Sequence, residues 1–285
     1  MIQNIDSTVQ IVKEIKADHD ARFTGAKRWE NTYISKQYER RQRMADSNDN
    51  AFSLEDHIRG MVYAMLTDGI PWSRIDQYVD LKTGTFPRID DLFCGYQAEK
   101  IFKLDSEKLK SDIMSIGIAG QVDRKQQINA LKENIRKLQL LDRNYGIDRY
   151  YEKYKTEDRL YHYLILQLSS EASQNKLKGL GVALAAEYLR NVGYDVAKPD
   201  RHLCNILGSE RLACSDWMVV SPLEAIEIVD RLSKKMGMPA TEIDYYLWAY
   251  CAKGYGEICT KNPKCSECRL SVNCEKRMKH TKTVP

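Results

Sequence analysis

Apolar residues along this chain recur mostly at intervals of three and four, the spacing that places side chains on one face of a helix. Ile5, Val9 and Val12 begin such a face near the start. Residues 23–50 are polar and charged and close with the turn-forming run SNDN, which marks a boundary. Ser53 then precedes Glu55 and Asp56, the make-up of a capped first helical turn, and the apolar run HIRGMVYAMLTD that follows predicts a buried helix. Residues 105–117, DSEKLKSDIMSIG, predict a capped helix stopped by Gly117. Residues 121–142 predict another, with Ile128, Leu131, Ile135 and Leu138 on one side. Strand-like alternation is scarce, and the chain has only seven prolines to interrupt its helices. The expected fold class is all-α.

The stretch SSEASQNKLKGLGVALAAEYLR, residues 169–190, predicts two helices joined by a tight turn. A short first helix, capped by Ser169 or Ser170, is expected to end near Leu177. The turn is Lys178-Gly179-Leu180-Gly181, and Val182, Ala185, Ala186 and Leu189 give the second helix its core face. The glycines permit a tight bend and close approach of another backbone. Leu180 would anchor the turn in the core. Unpaired N–H groups at the second helix start form an anion site suited to a nucleic-acid phosphate. The plain alternative is a packing corner between two helices. Further on, KPDRHLCNILG puts Asp200 after a proline, at or just before a helix start. It reads either as an N-cap or as a carboxylate held near backbone that the hairpin has bound. Residues 143–163 mix six tyrosines with basic residues. That mixture can serve nucleic-acid binding, although packing of a helix edge is the preferred reading.

Composition narrows the picture. The 285 residues accommodate about two domains. A net charge of +4 is compatible with a polyanionic partner without requiring one. The N-terminus lacks the apolar core and cleavage site of a secretory signal, and no apolar stretch is long enough to span a bilayer. A cytoplasmic, reducing location is expected, where structural disulfides are rare. Four of the eight cysteines crowd into CTKNPKCSECRLSVNC, as Cys259, Cys265, Cys268 and Cys274. Four converging thiolates suit a tetrahedral zinc or a four-iron cluster. One close pair, where zinc sites more often use two, favours the cluster. Cys94, Cys204, Cys214 and Cys251 read as buried small apolar residues.

The order of LKGLG, then Asp200 in PDRH, then four clustered cysteines resembles the endonuclease III family of helix-hairpin-helix DNA glycosylases. The resemblance covers about residues 52–278, most strongly 169–207 and 250–274, and IGIAGQVDRKQQINALKENI is similar to the family's glycine-bounded helix before the hairpin. It implies two helical domains with an active cleft between them. Residues 51–195 would form a helical barrel carrying the hairpin, and 196–285 would hold Asp200 and a [4Fe-4S] cluster, with zinc the alternative. Residues 1–50 would be a helical extension packing on the cluster domain. The implied partner is double-stranded DNA with a damaged, mispaired or modified base, flipped into the cleft of a monomeric enzyme. Asp200 would steady the oxocarbenium-like sugar and help orient water. Lys178, Gly179, Leu180, Gly181, Lys261 and Lys264 would meet DNA, and Cys259, Cys265, Cys268 and Cys274 would bind the cluster.

Three departures alter these expectations. Ala183 stands where bifunctional members carry the lysine that forms a Schiff base, which implies base release by water without an efficient lyase step. Lys178 is the nearby amine in sequence, but it belongs to the turn and should face the DNA backbone. Met65 falls where the family often places a gap-filling glutamine, and it reads as an apolar wedge or as a core methionine. The first cysteine gap is one residue short. A non-catalytic DNA-binding protein with a structural metal and a bifunctional glycosylase/lyase are the competing readings.

Overall fold

Helix follows helix along this chain, and no strand occurs among the described residues. The structure is a computed structural model that describes residues 4–47, 52–66, 70, 74–117, 125–156, 161–269 and 274. The helices are α1 (Ile5–Arg22), α2 (Tyr33–Ser47), α3 (Leu54–Leu66), α4 (Pro87–Leu92), α5 (Ala98–Phe102), α6 (Ser106–Ser115) and α7 (Lys125–Tyr145). They continue as α8 (Ile147–Glu152), α9 (His162–Ser169), α10 (Val182–Asn191), α11 (Arg201–Ile206), α12 (Pro222–Met236) and α13 (Ala240–Cys251). None of the described helices is long and apolar enough to cross a membrane.

Local signals explain several boundaries. Ser53 Oγ accepts from the Asp56 N–H at 3.2 Å while Asp56 Oδ2 accepts from the Ser53 N–H at 3.1 Å, a reciprocal cap at the start of α3. Asp105 caps α6 by accepting from Lys108 N–H at 2.7 Å. Ile128, Leu131, Ile135 and Leu138 of α7 are all buried, as their spacing predicts. In α1 the buried stripe is Thr8, Val12, Ile15 and His19, so the expected face through Ile5 and Val9 is turned by part of a turn. His19 is held there by edge contacts with Tyr245 and Tyr246.

The chain divides into two compact units, one of Met1–Trp29 with Val196–Pro285 and one of Glu30–Asp195. This moves a boundary. The expected extension 1–50 is split after Trp29, because α2 packs on α10 within the second unit. A buried polar node makes that packing specific. Asp148 of α8 lies 2.8 Å from Arg41 Nη2 of α2, and it accepts from Tyr194 Oη at 2.9 Å and Phe52 N–H at 2.8 Å. His57 of α3 stands 3.2 Å from the same carboxylate and 2.8 Å from Tyr188 Oη of α10. Arg41 Nε also donates to the Val192 carbonyl at 2.7 Å, just past the end of α10. Gly193 follows at φ +80°, and a Cβ there would collide with the Gln37 carbonyl of α2. In the other unit, α1 packs on α12 and α13. Lys16 of α1 donates to Glu242 at 2.9 Å and to Tyr246 Oη at 2.7 Å, both on α13.

Burial by itself would raise the Asp148 pKa, but the His57 ring and the Arg41 guanidinium outweigh it and hold the carboxyl well below the usual carboxylate range. A depressed folded-state pKa adds stability above the unfolded value of about 4, and that stability is lost as pH falls through the folded value. Arg41→Ala is expected to cost about 3 kcal/mol in urea unfolding at pH 7, since it strips a buried charge of its partner. Asp148→Asn should flatten the dependence of stability on pH below about pH 4.

Candidate active site

The hairpin turn is built from α7 as much as from its own glycines. Asn134 is fully buried on the apolar face of α7. Its Oδ1 accepts from Lys178 N–H at 2.7 Å and its Nδ2 donates to the Lys178 carbonyl at 2.9 Å, clamping the turn from both sides. Lys137 Nζ donates to the Lys176 carbonyl at 2.7 Å. Leu180 is buried, as its place between the glycines predicts. Gly179 has φ +80°, the left-handed region that favours glycine. Gly181 is the N-cap of α10 and offers no side chain to its first N–H groups, which leaves them open to an anion. The Lys178 ammonium is 62% exposed and pairs with Glu133 at 3.2 Å. Ala183 is half-buried in the first turn of α10.

The first helix of the hairpin differs from expectation. α9 ends at Ser169, and residues 170–177 form turns rather than a helix. Ser170 Oγ accepts from Ala172 N–H at 3.3 Å and Ser173 Oγ from Asn175 N–H at 3.1 Å, so side chains take up backbone donors that a helix would have used. Met65 is 4% exposed and lines an apolar cavity with Val62, Phe93, Ile113, Ile128 and Leu131. That is a core position, and the wedge reading is corrected accordingly.

Asp200 belongs to the other unit. It is the N-cap of α11, where Oδ1 accepts from His202 N–H at 2.7 Å and Leu203 N–H at 3.0 Å. Oδ2 faces the His202 ring at 3.4 Å. The side chain is 21% exposed, so the carboxylate is held by backbone yet open to solvent. Burial pushes its pKa up, but the His202 hydrogen bond, the Lys198 charge and the Leu203 N–H more than offset this and keep it ionised below the ordinary aspartate value. Sequence reasoning missed Lys198, which lies two residues upstream. It also missed Asn134, whose signal is a polar residue among apolar ones on the buried side of a helix.

The four clustered cysteines are the right donor chemistry for zinc or an iron–sulfur cluster. Among the described residues no three of them gather into one site. Cys251 is buried, as expected, and its free thiol lies beside that of Cys259. Cys268 contacts the Tyr250 hydroxyl, and Cys274 Sγ donates to the Glu210 carbonyl at 3.1 Å. Cys265 opens a short 3-10 turn, Cys265–Glu267. Lys261 and Lys264 in this loop are exposed. Arg269 pairs with Asp18 of α1 at 2.7 Å, tying the loop to the N-terminal helix.

The described residues are helical throughout their regular structure, with a glycine-bearing turn before α10 and an aspartate cap on α11. The solved 8-oxoguanine DNA glycosylase of Thermotoga maritima shares this fold, with a TM-score of 0.50 at 16% identity, over 88% of this chain and 98% of that one. The 8-oxoguanine glycosylase/lyase of Methanocaldococcus jannaschii, solved with DNA containing 8-oxoguanine, aligns with a TM-score of 0.48 at 18% identity, over 86% and 96% of the two chains. In sequence, the chain is 33% identical over 85 residues to the 8-oxoguanine DNA glycosylase/AP lyase of Aquifex aeolicus. That match takes in 28% of this chain and 37% of the relative, so the chain spans little more than a third of the curated relative it matches. No family model matches the chain.

The capping geometry makes its own test. Asp200→Ala should lower stability by about 1 kcal/mol through loss of the cap, whereas Asp200→Asn, also a good N-cap, should leave the thermal midpoint within experimental scatter of wild type.

Proposed function

We propose that this protein is a DNA glycosylase that hydrolyses the N-glycosidic bond of a damaged base, with 8-oxoguanine the first substrate to test. The observation that carries the reading is Asp200: a carboxylate fixed at Oδ1 by two backbone N–H groups, met at Oδ2 by the His202 ring, favoured in its charged form and partly exposed. Such a group can steady positive charge on a sugar as its base departs and can orient the attacking water. The hairpin turn supports a DNA partner, since α10 begins with open N–H groups beside the exposed Lys178. The names of the similar glycosylases direct the choice of base.

Ala183 supports release by water, because the first turn of α10 offers no amine at that position. The bifunctional reading draws its support from the Aquifex relative, whose name includes AP lyase. Cys259, Cys265, Cys268 and Cys274 would hold a [4Fe-4S] cluster, or zinc, whose contribution when bound is to shape the loop carrying Lys261 and Lys264.

Duplexes bearing single lesions, incubated with the protein and then treated with alkali, should break at 8-oxoguanine. Asp200→Asn should slow that release about 100- to 1,000-fold while DNA affinity in a gel-shift titration stays close to wild type. Release from no lesion duplex by wild type would favour the non-catalytic binding reading. For the metal, anaerobically purified protein should be brown and contain about four irons per chain, and Cys268→Ser should bleach it. A colourless preparation containing zinc would replace the cluster by the alternative.

A further inference from the structure

The fold divides the tyrosines of residues 143–163 into two groups. Tyr151 and Tyr161 pack inside the Glu30–Asp195 unit, where Tyr161 Oη donates to Glu152 at 3.0 Å. Tyr145, Tyr150 and Tyr154 gather at the surface instead, from the end of α7 to just past α8. The Tyr145 and Tyr150 ring centroids are 5.6 Å apart with planes 30° from parallel, and Tyr154 meets Tyr150 edge-on at 5.6 Å. Lys153 Nζ stands 5.2 Å from the Tyr145 centroid and 5.5 Å from that of Tyr150. Tyr145 is 53% exposed. Arg143, Arg149, Lys153 and Lys155 are exposed in the same stretch, against Asp142 and Glu152. The third acid, Asp148, is buried and paired with Arg41. The cluster is also continuous with the hairpin turn. Tyr150 Oη accepts at 2.9 Å from Nδ2 of Asn175, which lies just before Lys178 in the chain. Asn134 of α7 holds Lys178 and Lys137 holds Lys176, so the run 175–178 lies along α7 and leads toward Tyr150. Along the α7 axis, Asn134 and Tyr145 are about 16 Å apart.

We propose that Tyr145, Tyr150 and Lys153 form a stacking platform for an unpaired base of single-stranded DNA, extending the hairpin's phosphate contact along the same strand. The proposal rests on the DNA partner of the proposed function and not on the chemistry at Asp200. An exposed tyrosine ring gains from stacking only against a base whose face is free. Inside a duplex those faces are covered by the neighbouring pairs, whereas a single strand, a gap or a bubble presents them. The lysine beside the rings and the basic residues of the same stretch draw in the phosphates, and stacking of this kind tolerates any sequence. A separation of about 16 Å from the turn corresponds to about five stacked nucleotides, within the footprint usual for single-strand binding.

The test titrates the full-length protein, by fluorescence anisotropy, into a labelled single DNA strand of about 15 nucleotides, its duplex, and an RNA strand of the same sequence. Tyr145→Ala should weaken single-strand DNA binding about tenfold and leave duplex binding unchanged. Tyr145→Phe, which keeps the ring, should stay within about twofold of wild type on every probe. No loss with Tyr145→Ala, an equal loss on single strand and duplex, or tighter binding of the RNA strand overturns the proposal. A second measurement uses wild type alone: a single strand carrying 5-iodouracil, irradiated in the complex, should crosslink to Tyr145 or Tyr150. Crosslinks that map only elsewhere overturn the proposal even where a variant fails to fold. The two readings fail separately. Base release from duplex by a protein whose single-strand binding ignores Tyr145 sinks only the platform, and single-strand binding that needs Tyr145, without base release from any lesion, sinks only the catalytic reading.

Discussion

Asp148 is the residue on which the Glu30–Asp195 unit turns. One carboxylate receives a guanidinium from α2, a tyrosine hydroxyl from just beyond α10 and a backbone N–H from just before α3, and the α3 histidine packs against it. Removing such a charge from water is costly unless every oxygen is occupied. Here the occupants come from separate stretches of chain, so the cost is offset only when all of them arrive together. The same network ties Arg41 to the carbonyl of Val192, at the end of the second hairpin helix. The open N–H groups at the other end of α10 are therefore presented by a helix that cannot easily shift or rotate.

A similar economy governs the hairpin turn. A tight turn exposes backbone donors and acceptors, and burying one side of it requires partners for them. Asn134 supplies both a donor and an acceptor to Lys178 from a fully buried position on α7. Leu180 pins the turn by burial, and the start of α10 has no side-chain cap.

Asp200 shows the opposite arrangement, one group whose helix cap would also serve the proposed catalysis. Capping uses Oδ1 and is worth about 1 kcal/mol to the helix, a small part of what a protein of this size needs. The capping bonds also immobilise the carboxylate and favour its charge, and that preorganisation is what an electrostatic catalyst requires. A residue selected only as a cap would serve as well if it were serine; an ionised cap whose second oxygen faces a histidine ring has further chemical scope.

The sequence by itself determined the helical class, most helix positions, the buried face of α7, the anchoring of Leu180, and the pairing of turn and aspartate in chain order. These follow from periodicity, capping residues and glycine, which are properties of neighbours within a few positions of one another. It misjudged the segment 170–177, where serine side chains compete with the backbone for hydrogen bonds and a helical composition folds as turns. It was ambiguous for Met65, because a wedge and a core methionine have the same side chain and differ only in what surrounds them. Tertiary structure alone decided that α2 packs on α10 while α1 packs on α12 and α13, that His19 is buried against tyrosines more than two hundred positions away, and that Asn134 clamps the turn. Contacts between distant segments depend on which faces meet when the core closes, and no local pattern of residues encodes that.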